Sequence, residues 1–221
     1  MGVEDVRREL EMRAFYYARF GDVTDDDLAG FARGFGAIAV EPRDARTVRP
    51  VSPSGEADAR RNTLSSRYGF GAFPFHTDTA YWREPASILV LYCVEPGRGC
   101  RQTLVSDVRS WSLSDGDTGT LTSGVWRVQR QREAFLVRLA RRSDTGLRVR
   151  YDSHCMAPLG AEGFEAAQLV AERTASHHVA ITWSAGALLI IDNRRAIHAR
   201  TAAICPDPER TLKRILVRTD G

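Results

Sequence analysis

The residues best equipped for chemistry are His76 and Asp78, with Thr77 between them, and a single His198 far downstream. On an extended segment side chains alternate faces, so residues two apart point the same way. Two imidazoles and one carboxylate can cap one face of a metal and leave the opposite positions open. That is the donor set of non-haem Fe(II) oxygenases. A His-x-Asp triplet alone is weak, because it arises often by chance. Its plain reading is a surface loop with a capping aspartate, and that of His198 is a half-buried strand end.

Two later stretches strengthen the metal reading. The run WSAGALLIIDNRRAIH (183–198) reads as a turn, a buried strand, a polar corner and then the histidine. The run RTLKRILVR (210–218) reads as a strand whose even positions put Arg210 and Arg214 on one face. An arginine inside a barrel is costly unless it meets an anion, and guanidinium forks onto a carboxylate. A metal triad beside such an arginine suits 2-oxoglutarate. The competing reading of Arg210 and Arg214 is a solvated edge strand.

These residues need elements to position them. Residues 3–20 carry helical spacing. Residues 25–35 form a second expected helix, with Thr24 or Asp25 as N-cap and Gly34 near its end. Residues 37–40 are expected as a short strand. Residues 43–61, rich in Arg, Pro, Ser and Asp, are expected as a mobile loop. Beyond residue 64, short apolar runs recur between turn signals, at 86–94, 102–106, 124–130, 134–139, 147–151, 178–183, 187–191 and 214–218. An amphipathic helix at 161–176 interrupts them. The series predicts a mainly β fold with flanking helices, a jelly roll of two sheets with a pocket between. The 221 residues suit one domain, 1–221. Neither Gly-Phe-Gly-Ala segment extends to G-x-G-x-x-G, so a Rossmann site is unsupported.

Composition excludes several classes. A formal net charge of +3 implies neither nucleic acid nor a membrane surface. No apolar run is long enough to span a bilayer, and the start lacks a signal core. Cys93, Cys100, Cys155 and Cys205 form no C-x-x-C pair and are read as packing residues of a reduced, cytoplasmic protein. His177 and His178, adjacent on a strand entrance, point to opposite faces, and His154 is read as packing. The stretch 126–150 holds eight arginines, read as the solvated face of two strands. It lacks the aromatic interleaving of single-strand nucleic-acid binders.

The segments together resemble the TauD/TfdA-type, clavaminate-synthase-like family of Fe(II)- and 2-oxoglutarate-dependent dioxygenases. LAGFARGFG (28–36) resembles the family's N-terminal helix, PFHTDTAYW (74–82) its metal segment, and QTLVSD (102–107) its co-substrate strand. The resemblance implies a double-stranded β-helix, cupin-like in outline. It implies that His76, Asp78 and His198 ligate iron and that Arg210 pairs with the distal carboxylate of 2-oxoglutarate. Thr103 would hydrogen-bond that carboxylate, and Arg214 would meet an anionic substrate group. Tyr81 and Trp82 are expected to wall the substrate pocket. Cys100-Arg101 stand where many members have two glycines. The implied reaction consumes 2-oxoglutarate and O2, yields succinate and CO2, and hydroxylates a small metabolite such as an amino acid. Asp78 argues against a halogenase, in which a small residue replaces the carboxylate. Two rivals stay open: a modifier of a carrier-bound or macromolecular substrate, and a non-catalytic metal-binding relative. A carrier protein therefore remains a candidate partner, and the oligomeric state is not legible.

Overall fold

The structure is a computed structural model and describes residues 2–41, 44–55, 59, 64–130 and 133–219. The N-terminal part runs α1 (Val3–Arg13), β1 (Phe15–Arg19), α2 (Asp25–Arg33), β2 (Ala37–Ala39), β3 (Arg49–Val51), α3 (Ser65–Tyr68) and β4 (Phe73–His76). The middle runs β5 (Ile88–Glu95), β6 (Gln102–Asp107), α4 (Asp115–Ser123), β7 (Val125–Arg130), β8 (Glu133–Arg138), β9 (Ala140–Ser143) and β10 (Gly146–Val149). The chain closes with β11 (Met156–Leu159), α5 (Gly160–Ser176), β12 (Val179–Thr182), β13 (Ala187–Asp192), β14 (Ala196–Arg200) and β15 (Thr211–Arg218).

Two sheets form the jelly roll. The larger has the order β1-β13-β5-β15-β2, with β3 also paired to β15. The smaller has the order β12-β6-β14-β4. Strand β5 is apolar almost throughout because both of its faces are covered. Leu89, Leu91 and Cys93 point between the sheets, where Val105, Trp183 and Leu216 meet them. Ile88, Val90 and Tyr92 point the other way, onto Val6, Leu10 and Leu28 of the two N-terminal helices. A third core lies under the β11-β7-β8 sheet and α5, around Trp111, Trp126 and Val170.

The expected fold class holds, and local details differ. Residues 15–19 are an edge strand on β13, not the continuation of α1. The break comes at Ala14, whose φ of +20° cannot continue a helix. The aromatics Phe15, Tyr16 and Tyr17 then take the strand conformation that suits them. The expected loop 43–61 contains β3, paired with β15 through Leu212, Lys213 and Arg214. Residues 43, 56–58, 60 and 61 of that loop lie outside the described residues. Helix α4 is new, since its run of Asp, Gly, Thr and Ser buries only Leu121. Cys100 and Cys205 are exposed rather than packed, and all four cysteines are free. His177 and His178 sit at the C-terminal end of α5, each with Nδ1 on a carbonyl four residues back. Among the described residues, no helix is long and apolar enough to cross a membrane.

Helix α2 starts where the sequence places it. Thr24 Oγ1 accepts the Asp27 N–H at 3.1 Å, and Asp27 accepts the Thr24 N–H at 3.0 Å, a reciprocal cap. The Thr24 side chain and backbone hydrogen bonds hold the Asp27 carboxyl below its ordinary 3.8. A folded-state pKa below the unfolded one gives stability that is present above the ordinary value and is lost as pH falls through the lowered one. Asp27→Asn should therefore flatten the acid limb below about pH 4. Urea midpoints of both proteins, measured against pH, check this.

Candidate metal centre

The triplet is assembled by strand pairing. His76 ends β4, and His198 sits in mid-β14 directly opposite it in the antiparallel ladder. Both side chains therefore share the inter-sheet face, with ring centroids 4.3 Å apart. His76 Nδ1 donates to the Pro74 carbonyl at 2.9 Å, which leaves its other nitrogen as the lone-pair donor. His198 is buried, and among the described residues its Nδ1 has no hydrogen-bond partner. Burial and then the neighbouring His76 push its pKa down to about 3, so it is a neutral imidazole.

Asp78 is not on the strand as the alternation argument supposes. β4 ends at His76, and Asp78 opens a turn. Its backbone is pinned by Asn193, which is fully buried just past β13. Asn193 Oδ1 accepts the Asp78 N–H at 2.9 Å, and its Nδ2 donates to the carbonyls of Asp78 at 3.0 Å and Ala86 at 2.7 Å. Thr77 is held from the other side, its N–H donating to the Tyr151 carbonyl at 2.6 Å. Burial pushes the Asp78 carboxyl up, but Arg214, His198 and His76 outweigh it and hold it below its ordinary value.

Arg214 points inward between Leu212 and Leu216 of β15 and bridges two carboxylates. Its Nη1 donates to Asp78 at 3.1 and 3.3 Å, and its Nη2 donates to Glu41. Arg49 Nη1 closes the row on Glu41 at 2.6 Å. Among the described residues, no three His, Cys, Asp or Glu side chains form a closed metal-gripping cluster. The imidazoles meet, while the Asp78 carboxylate leans on Arg214. The donor set nonetheless fits a divalent iron: two imidazoles and one carboxylate, all buried or half-buried.

One step along the small sheet lies a second polar group. Thr103 of β6 is buried, and its Oγ1 accepts the Trp183 Nε1–H at 3.0 Å. Arg200 is opposite it in the ladder. Arg210, just before β15, is buried, and its Nε has no partner among the described residues. Burial and then Arg101 push the Arg210 pKa down. Two residues of strand separate the Thr103 and His198 rows, roughly 7 Å.

Tyr81 is half-buried, and burial and then Glu41 push its hydroxyl pKa up. Trp82 is buried in the core between the sheets, its ring edge-on to Tyr81. Sequence reasoning missed the roles of Asn193, Glu41 and Arg101. The polar corner Asp192-Asn193-Arg194 holds a signal for the first, the Cys100-Arg101 pair marks the position of Arg101 without its partner, and nothing local marks Glu41.

The sequence matches the family described as taurine catabolism dioxygenase TauD, TfdA family, over residues 3–116 and 123–216. The chain belongs to the TauD/TfdA dioxygenase family. An asparagine oxygenase, solved with Fe(II), 2S,3S-3-hydroxyasparagine and succinate, is similar at 20% identity and a TM-score of 0.82, over 99% of this chain and 78% of that one. The non-haem iron oxygenase OrfP, solved with (3S)-hydroxy-L-Arg, is similar at 20% identity and a TM-score of 0.76, over 99% and 80%. PvcB from Pseudomonas aeruginosa is similar at 17% identity and a TM-score of 0.74, over 98% and 80%. A comparison with curated proteins gives no match. These likenesses support the TauD-type jelly roll.

The turn before β6 carries a local backbone cost. Cys100 holds a φ of +51°, in the left-handed region that side chains disfavour. Cys100→Gly should stabilise the protein by roughly 0.5 to 1 kcal/mol, the strain relieved less the added chain entropy. Thermal melting under reducing conditions checks the sign.

Proposed function

We propose that this single-domain protein is an Fe(II)- and 2-oxoglutarate-dependent dioxygenase that hydroxylates a small amino acid. The observation that carries the proposal is the cross-strand His76–His198 pair, with Asp78 held beside it, in a member of the TauD/TfdA family. His76, Asp78 and His198 would hold the iron. Bound Fe(II), with 2-oxoglutarate and O2, supplies oxidative decarboxylation to succinate and CO2 coupled to hydroxylation of a C–H bond. Arg210 would take the distal carboxylate of 2-oxoglutarate. The Thr103 hydroxyl accepts from Trp183, so its own proton is free to donate to the same carboxylate. Arg214 and Glu41, paired side by side, complement a zwitterion: a carboxylate on the guanidinium and an ammonium on the carboxylate. Tyr81, kept protonated, can donate a hydrogen bond there. The solved relatives crystallised with hydroxylated asparagine and hydroxylated arginine agree with an amino acid of this kind.

The test is an anaerobic titration with Fe(II) and then 2-oxoglutarate, following the visible charge-transfer absorption of the chelate. The band should form in the wild type, and its apparent 2-oxoglutarate affinity should fall by 10-fold or more in Arg210→Ala, about 1.4 kcal/mol or above. Iron uptake without a band would remove the co-substrate assignment and leave a non-catalytic metal protein.

A carrier-bound substrate is a second reading, and one surface favours it. Residues 124–150 carry eight arginines against Glu133 and Asp144, while the rest of the chain is net negative. Arg127 and Arg138 are exposed on the β7–β8 face, with the exposed Leu136 opposite Arg127. Arg132 lies outside the described residues. Salt-sensitive binding of an aminoacyl carrier protein, absent for an oligonucleotide, would support that reading. The free cysteines agree with a reducing, cytoplasmic setting.

A further inference from the structure

Arg101, just before β6, points inward. Its side chain is fully buried, as is that of Asp207. Arg101 Nε donates to both Asp207 oxygens, at 2.9 and 3.2 Å, and its Nη2 lies 2.8 Å from Oδ1. Asp207 begins the turn that delivers Arg210, and its carbonyl accepts the Arg210 N–H at 3.1 Å. The two side chains lie over one glycine. A Cβ on Gly97 would fall 2.8 Å from the Arg210 Cβ and 3.1 Å from Asp207 Oδ2. Gly99 closes the other side, where a Cβ would fall 2.5 Å from the same oxygen.

Arg101, Arg200 and Arg210 are three buried or half-buried guanidiniums around one carboxylate. Arg200 is already engaged, with Nη2 on the carbonyls of Gly69 and Gly71 and its carbon 3.4 Å from the Phe73 ring centroid. Arg101 takes both oxygens of Asp207. Among the described residues, Arg210 is left with no carboxylate of its own. Without Arg101, the buried Asp207 would need another cation. Arg210, three residues on and packed on the same glycine, is the one at hand.

Resting on the reading of Arg210 as the co-substrate arginine, we propose that Arg101 is a positioning residue. It occupies Asp207 and so keeps the Arg210 guanidinium free for the distal carboxylate of 2-oxoglutarate. Here the acid and its lock come together: Asp207 raises the need for a second cation, and Arg101 meets it.

The experiment measures Fe(II) affinity and 2-oxoglutarate affinity separately, by anaerobic titration of the full chain, in Arg101→Met, Asp207→Asn and the double variant. Arg101→Met should weaken 2-oxoglutarate binding by about 10-fold or more while Fe(II) binding stays within about twofold. Asp207→Asn should bind 2-oxoglutarate as well as the wild type or better. The double variant should recover wild-type affinity to within about threefold. A mere structural brace predicts the opposite pattern: both single variants weaken binding alike, and the double variant does not recover. That pattern, or an unchanged Arg101→Met, overturns the proposal. If Arg101→Met fails to fold, the other two variants decide, since neither buries an unpaired carboxylate: retained affinity in both supports the proposal, and loss in either overturns it. A wild type that binds Fe(II) but not 2-oxoglutarate overturns the co-substrate reading itself, and the positioning role with it.

Discussion

His198→Ala is expected to abolish Fe(II) binding and leave the jelly roll folded. The imidazole is buried on the inter-sheet face, opposite His76, and among the described residues its Nδ1 has no partner. Removing it creates a small cavity but also removes an unsatisfied buried polar atom, so the two costs partly cancel. The backbone of β14 keeps its ladder to β6 and β4 with alanine in place. A net change in stability within about 2 kcal/mol is expected, the range of a small core truncation. For metal, the loss is far larger. Removing groups that only support a ligand typically costs 10- to 100-fold in affinity, and removing a ligand should exceed about 100-fold. Metal analysis after equilibration with Fe(II) under anaerobic conditions, together with circular dichroism, reads both. Full iron stoichiometry in the variant would take His198 out of the ligand set.

Asn193→Ala should be among the most damaging substitutions that touch no ligand atom. Its amide joins three backbone groups: the Asp78 N–H, the Asp78 carbonyl and the Ala86 carbonyl. Alanine strands the Asp78 N–H and the Ala86 carbonyl at a fully buried position, while the Asp78 carbonyl keeps the Thr79 hydroxyl at 2.6 Å. Stranded polar groups of this kind cost about 1 to 3 kcal/mol each, and with partial relaxation a total of about 2 to 4 kcal/mol is expected. The same bonds set where Asp78 stands, so Fe(II) affinity should also fall, by roughly 10- to 100-fold. Asn193→Asp should not rescue it, because the Nδ2 donor is gone and a buried charge is added. Ile190→Val is the control, a core truncation of the same sheet that loses about 1 kcal/mol and leaves iron affinity unchanged. Equal iron affinity in Asn193→Ala and Ile190→Val would mean that Asn193 serves stability only.

Several parts of this architecture are written in local sequence. Helices α2 and α5 show in the spacing of Leu28, Ala29 and Ala32 and of Ala166, Leu169 and Val170. Strands β5 and β13 show as short apolar runs between turn residues. These signals survive because each element's own residues carry both its period and its stop. Helix α4 was missed for the converse reason: its buried contribution is one leucine, and only the Ser114–Asp117 capping pair marked it. The edge strand β1 was misread because its aromatics also fit helical spacing, and only pairing with β13 separates the two.

The sequence by itself determined the donor types and their identities: two histidines, an aspartate, and arginines able to meet a carboxylate. It could do so because metal and carboxylate chemistry restricts the side chains that serve. Tertiary structure decided their arrangement. The His76–His198 contact exists only through the β4–β14 register, 122 positions apart in the chain, and a one-residue slip would turn one ring outward. Asp78 is set by Asn193 and is paired to Arg214, and Arg214 to Glu41, by side chains from four separate segments. Arg101 stands out in the sequence only by its position, and its partner Asp207 is chosen by the fold that buries both. Pairing partners for buried charge are chosen by long-range packing, because the low-dielectric interior makes an unpaired charge costly wherever its partner lies in the chain.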